Sequence, residues 1–277
     1  MEPRYRSQPP GGTGIIGSVA SPTSPIEWVE DISAADWIGP RLHPFAQDVG
    51  SVIPEGFEAY VRLLHPVETG LHGRETWRDV ARRNGRIVHP EMQFHWISRP
   101  LGAEPPDGYD RGNGPSWGSL PLPERMILVG ILGQYTTRAD TCWFGVWEGH
   151  DPLEHEPDVE WQSAGSPGAL RAPVARRRSR PLPPALPAVE LPHRRYHLYR
   201  GQLEKALSPL PFDQSPNMWW PDDRAWFVAT EVDYAWTYVA GSLLLADALM
   251  SDDRLEVLPA RLEDQPFYDS DRLNEAL

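Results

Sequence analysis

One cysteine in 277 residues excludes an internal disulfide, so packing and hydrogen bonds must hold this chain together. Cys142 lies in the apolar run Thr141-Cys-Trp-Phe-Gly-Val146, where a thiol reads as a small buried hydrophobe rather than a nucleophile. No stretch approaches the roughly 18 apolar residues that a transmembrane helix needs, and no membrane partner is expected. Cationic excess is missing too. Lys and Arg number 26 against 39 Asp and Glu, a net charge of −13, which argues against a general nucleic-acid surface. The first residues hold Pro, Gly and charge instead of the apolar core of a secretory signal, so the cytoplasm is the expected compartment. Motifs with specific chemistry are absent as well: no GxGxxG after a strand, no Walker loop, no GxSxG elbow, no HExxH and no paired CxxC. Gly11-Gly-Thr-Gly14 lies in a Pro/Gly-rich lead-in and makes a poor phosphate loop. No cofactor and no metal are expected.

What the chain has is tryptophan, 12 residues of it, with 31 Pro and 23 Gly that favour many loops over long helices. Residues 1–25 read as a flexible lead-in. Residues 26–150 and 192–265 read as two parts of one domain. Between them, 151–191 starts acidic, turns basic at Arg176-Arg-Arg-Ser-Arg180 and closes in Pro181-Leu-Pro-Pro, the composition of an inserted linker. Its arginine run suits solvent or an acidic partner. Residues 266–277 form an acidic tail.

Periodicity then places the elements. Alternation predicts a strand from Pro54 to His65, with Val61, Leu63 and His65 on one face and Glu58, Tyr60 and Arg62 on the other. Helical spacing of Trp77, Val80 and Ala81 predicts a helix over Glu75–Arg83, stopped by Asn84-Gly85. Residues 87–98 read as an extended edge segment, because Pro90 removes a ladder donor. Pro123 opens a buried helix reaching Tyr135, with a strand as the alternative. Strands are expected over Thr141–Glu148, Arg195–Arg200 and Leu255–Leu262, and helices near Gln202–Leu207 and Ser242–Met250. The expected fold is α+β: one domain, a mainly antiparallel sheet, and helices packed on one side.

Candidate chemistry concentrates in Ser215–Ser242, which carries four of the tryptophans. Read as a strand, Ala225–Asp233 puts Trp226, Val228 and Thr230 on one face and Phe227, Ala229, Glu231 and Asp233 on the other. Glu231 then sits beside an apolar face, where a carboxylate needs a partner or takes a raised pKa. A Glu231-centred acid/base site with Asp222, Asp223 or His65 is one reading; a strand-end glutamate paired with an arginine is the plainer one. Trp219, Trp220 and Arg224 suggest a recognition platform for a ligand or partner, against which stands ordinary core packing. His89 and His95 cannot share one ion: six residues apart, they lie about 20 Å apart on a strand. His89 with Glu91, or His95 with a distant partner, remains open.

The runs Val49-Gly-Ser-Val-Ile-Pro-Glu-Gly-Phe-Glu-Ala-Tyr60, Cys142-Trp-Phe-Gly-Val-Trp-Glu-Gly149, Tyr196-His-Leu-Tyr-Arg-Gly201 and Trp219-Trp-Pro-Asp-Asp-Arg-Ala-Trp226 with Ala229-Thr-Glu-Val-Asp233 resemble a family of uncharacterised actinobacterial proteins. That resemblance implies no activity and carries over no catalytic residue. Absent motifs, acidity and concentrated tryptophan together favour a non-enzymatic binding or protein-interaction module, with a protein or small ligand as partner. The alternative is an enzyme built on Glu231.

Overall fold

The structure, a computed structural model, describes residues 26–69, 73–103, 114–150, 186–208, 214–265, 267 and 269–276. Nine strands form one antiparallel sheet: β1 (Glu27–Trp28), β2 (Ala59–Leu64), β6 (Cys142–Trp147), β7 (Val189–Leu191), β8 (Arg194–Gly201), β9 (Met218–Pro221), β10 (Phe227–Ala229), β11 (Trp236–Gly241) and β12 (Val257–Ala260). Their order is β1-β8-β6-β9-β10-β11-β2-β12, with β7 pairing outside this path against β8. A second sheet joins β3 (Val67–Thr69) to β4 (Gly73–Glu75) and β5 (Gly114–Pro115). The fold is α+β with a mainly antiparallel sheet, as composition and periodicity predict.

Both faces of the large sheet are covered, so its central strands are apolar on both sides. Every residue of β9, β10 and β11 is buried. Alternation sends neighbouring rings to opposite faces. Trp220, Phe227, Trp236 and Tyr238 join one core with Ile38, Ile53 and Trp77. Trp219, Trp226, Val228 and Val239 join the other with Leu128, Phe144 and Leu245.

The second face is closed by the two longest helices, α3 (Leu122–Leu132) and α4 (Leu243–Met250). Pro121 stands at the N-cap of α3 and Pro123 in its first turn, where a missing N–H costs nothing. Ser242 caps α4 by accepting from the Leu245 amide at 3.2 Å. The first face is covered by short helices, α1 (Trp77–Arg83) and α2 (Phe94–Ile97), and by 3-10 turns at Ser33–Ala35, Gly39–Arg41 and Val49–Ser51. Thr76 caps α1, and Glu256 adds a second anchor by accepting from the Trp77 and Arg78 amides at 2.6 and 2.8 Å.

Several expectations are revised. Residues 87–98 are not extended; they form turns and α2. The cause is distant, because the C-terminal helix α5 (Arg272–Glu275) supplies the hydrogen bonds that a neighbouring strand would have supplied. Asp271 accepts from the Gln93 amide at 2.9 Å and pairs with His89 Nε2 at 2.7 Å. Asn274 donates to the Ile87 carbonyl and accepts from the Ile87 amide. The acidic tail is therefore fastened: Asp271 and Asn274 are fully buried. Val189–Leu191 belongs to the sheet, so the inserted segment ends earlier than position 191. Residues 1–25 and 151–185, including Arg176–Arg180, lie outside the described residues. Arg62, expected on a polar strand face, is 2% exposed. Its guanidinium lies 3.8 Å from the Trp236 ring centroid and donates to the Pro90 and Met92 carbonyls.

Candidate functional site

A cleft of about 180 Å³ opens on the first face, at the end of β10. The Phe227–Ala229 strand runs out at Thr230, and Glu231-Val-Asp-Tyr234 turns the chain into β11, closed by the Tyr234 amide donating to the Glu231 carbonyl at 3.0 Å. This turn brings Glu231, Asp233 and Tyr234 to the cleft together. The opposite wall comes from the β7–β8 hairpin, through Leu191, Pro192, Arg194 and Tyr196. Leu42, Phe45, Ala46 and Val52 close a third side.

Two residues at this cleft take left-handed backbone angles without being glycine, Ala46 at φ 57° and His193 at φ 60°. Pro192 presets the turn position before His193, as in a type II turn. The Phe45 and His193 rings meet at 4.5 Å between centroids, joining the two walls at the mouth.

Glu231 finds its partner in Arg194. Both Nε and Nη2 of Arg194 donate to Oε1 of Glu231, at 3.0 and 2.6 Å, and Nη2 also reaches Asp233 Oδ2 at 3.4 Å. Nη1 donates to the His193 carbonyl at 3.1 Å. Oε2 of Glu231 accepts no hydrogen bond from any described residue. The Glu231 and Arg194 side chains are 12% and 20% exposed, so the pair is only partly shielded from water. Burial pushes the phenols of Tyr196 and Tyr234 up from their ordinary value, with the Glu231 charge adding to each. Both therefore stay protonated donors beside the carboxylate.

The floor is rigid. Asn217 accepts from the Thr230 amide at 2.7 Å through its carbonyl, and its side chain donates to the Thr230 carbonyl and accepts from the Trp147 amide. The Thr230 and Thr237 hydroxyls lie 2.8 Å apart, and Thr237 lies 2.9 Å from Nε2 of His65. Nδ1 of His65 lies 2.7 Å from the Ser116 carbonyl. A carbonyl only accepts, which sets the direction of the whole chain. Nδ1 carries the proton, Nε2 accepts from Thr237, and Thr237 accepts from Thr230. Burial drives His65 down to about 4, opposed by the Ser116 bond and reinforced by Arg62, so the ring is neutral.

Of the candidate catalytic and ligand-binding residues Glu231, Asp222, Asp223, His65, Trp219, Trp220 and Arg224, Glu231 alone lines this cleft, together with its strand neighbours Phe227, Ala229, Thr230 and Asp233. The proposed acid/base grouping is not assembled. Asp222 and Asp223 sit at the far end of the β9–β10 pair, where Asp222 meets Arg138 at 3.2 Å and Asp223 accepts from Thr136 and Thr137. His65 follows the face of Val61 and Leu63, on the other side of the sheet from Phe227 and Ala229. The tryptophan platform is also revised. Trp219 and Trp220 are 1% exposed, because Met218–Pro221 is an interior strand between β6 and β10. Trp220 stacks on Phe227 at 5.6 Å, and Trp219 meets Trp226 edge-on at 5.5 Å. Arg224 is exposed at φ 55°, its guanidinium 5.1 Å from the Trp37 ring centroid. His89 and Glu91 do not converge: His89 pairs with Asp271, and Glu91 accepts from the Gln265 amide. Arg194, Asn217 and Tyr234 were missed, since nothing local to each residue marks it.

Two larger hollows, of about 460 and 660 Å³, are more open to solvent, and each carries a single aromatic wall residue, Tyr60 or Trp117. The cleft carries five, Phe45, Tyr196, Phe227, Tyr234 and Phe267. Among the described residues no group of three His, Cys, Asp or Glu side chains could hold a metal ion. No helix among them is long and apolar enough to cross a membrane. Comparison with protein-family models, curated proteins and solved structures finds no match to this chain.

Proposed function

We propose that this chain is a binding protein and that its site is the cleft between the β10–β11 turn and the β7–β8 hairpin, which takes a small, largely apolar ligand. The carrying observation is Glu231, which lines an aromatic-walled cleft of about 180 Å³: one oxygen is held by Arg194, and the other accepts no hydrogen bond from any described residue. Concave, mostly apolar sites with a few fixed polar groups are where small molecules bind. Left-handed angles at Ala46 and His193 support the reading, because such backbone is costly and concentrates where a site must keep its shape. An acid/base pairing of Glu231 with Asp222, Asp223 or His65 is not favoured, since all three are engaged away from the cleft.

A thermal-shift screen of fragments tests the proposal, because a ligand that binds only the folded state raises the melting temperature. Fragments that stabilise the native chain are expected to lose their effect in Leu42→Trp, which fills the cleft from its half-buried wall. Fragments that stabilise both proteins equally would place binding elsewhere and sink the proposal.

A further inference from the structure

Among the described residues, three charged side chains line the cleft, Arg194, Glu231 and Asp233. They are one cation and two carboxylates, so the lining is net negative. The distribution of free hydrogen-bonding capacity sharpens this. Arg194 spends Nε and Nη2 on Glu231 and Asp233, and Nη1 on the His193 carbonyl. Among the described residues, Glu231 keeps Oε2 without a donor, and Asp233, whose side chain is 73% exposed, keeps Oδ1. What remains on the charged groups is chiefly acceptor capacity.

The walls add a second, independent preference. Phe227 and Tyr234 present aromatic surface in the same cleft, against which a ligand ring can stack or pack edge-on, while the Phe45 ring already has the Arg194 guanidinium 5.7 Å from its centroid. Tyr234 cannot swing aside readily: it stacks on Trp236 at 4.5 Å, and Trp236 is backed by Arg62 at 3.8 Å. Size is set by the free volume. A cavity of about 150 Å³ accommodates benzene, so about 180 Å³ suits a single ring with a short substituent.

We infer that the cleft recognises a small organic cation, a primary ammonium or guanidinium carried on one apolar ring, with the cation on Glu231 Oε2 and Asp233 and the ring against the aromatic wall. This rests on the reading of the cleft as the binding site.

Benzylammonium, benzyl alcohol and benzoate share one ring and differ in the charge of the head group. Titration of each into the full chain at pH 7, followed calorimetrically, separates charge from shape. Benzylammonium is expected to bind at least about tenfold more tightly than benzyl alcohol, the order of a charge-assisted hydrogen bond. Glu231→Gln should abolish that advantage, bringing the affinity for benzylammonium to within about twofold of that for benzyl alcohol in the same variant. Asp233→Asn, at an exposed position with no packing role, should reduce it in a protein of native melting temperature. Equal affinities for the three in the native chain, or tightest binding of benzoate, would overturn the charge inference and leave the cleft as a site for neutral or anionic ligands. Failure of all three to bind would overturn the inference and the cleft reading together.

Discussion

At the scale of single residues, the side chains that matter most are charged groups held away from full solvent. Arg194 is the main neutraliser of Glu231. Arg194→Ala leaves a partly buried carboxylate unpaired and is expected to cost about 1–3 kcal/mol, measured by urea denaturation. The double variant Arg194→Ala/Glu231→Leu should cost less than the sum of its parts, since the penalty of the orphaned charge disappears. Trp219→Ala and Trp220→Ala should each cost about 3–5 kcal/mol, as large deletions from a packed interior do; losses below about 1 kcal/mol would restore them as surface groups. His65 gives the pH dependence its sign. In the unfolded chain it titrates near 6.5, whereas burial holds it at about 4 when folded. His95 is lowered to about 4 for a similar reason, burial first and then the Arg99 charge. Between those values the unfolded state binds protons that the folded state refuses. Stability is complete above pH 6.5 and falls as the pH drops towards 4, by up to about 1.4 kcal/mol per pH unit for each histidine. His65→Asn should flatten the slope of unfolding free energy against pH across this window.

At the scale of elements, local pattern and distant partner divide what could be read from the chain. Strand β2, helices α1, α3 and α4, and strands β6 and β8 follow their own periodicity, and the sequence places them within a few residues. Glu231 was legible as an acid in need of a partner, because its position beside an apolar face is a local property. Its partner was not, because Arg194 lies 37 residues upstream on another strand. The same limit explains 87–98, where alternation is genuine but Asp271 and Asn274 arrive from about 180 residues away. The tryptophan-rich stretch misled differently. A surface platform and two interior strands share one composition, and only the strands on either side, β6 and β11, bury it. Helix α5 makes a sharp test. Asp271→Ala removes the acceptor for the Gln93 and Asn274 amides and for His89 and should cost about 2–4 kcal/mol. These bonds favour the ionised form and overcome the burial that opposes it, holding the Asp271 carboxyl below its ordinary value. Its contribution is therefore present above the ordinary carboxyl pKa and disappears as the pH falls through the lowered value, so native and Asp271→Ala proteins should converge in stability under strong acid.

At the scale of the whole molecule, sheet order ties the parts of the chain together. In the large sheet, β1 pairs only with β8, β6 lies between β8 and β9, and β2 lies between β11 and β12. Every strand that residues 26–150 give to this sheet therefore has neighbours drawn only from residues 186–265. Such pairings close long loops before any of them is rewarded, and folding should take milliseconds to seconds instead of microseconds, as stopped-flow tryptophan fluorescence would show. There is a further consequence for how the protein can be made. In the large sheet the first portion holds β1, β2 and β6, none adjacent to another, and the second holds β7–β8, β9–β10–β11 and β12 as three separate pieces that β6 and β2 join, so each is left with open strand edges that the other completes. Residues 1–150 and 186–277, produced as two separate polypeptides in one cell, should behave as complementary fragments: insoluble or unstructured when expressed singly, and recovered as a one-to-one complex when expressed together. The interleaved sheet makes this chain a split protein in waiting, with reassembly as its own reporter.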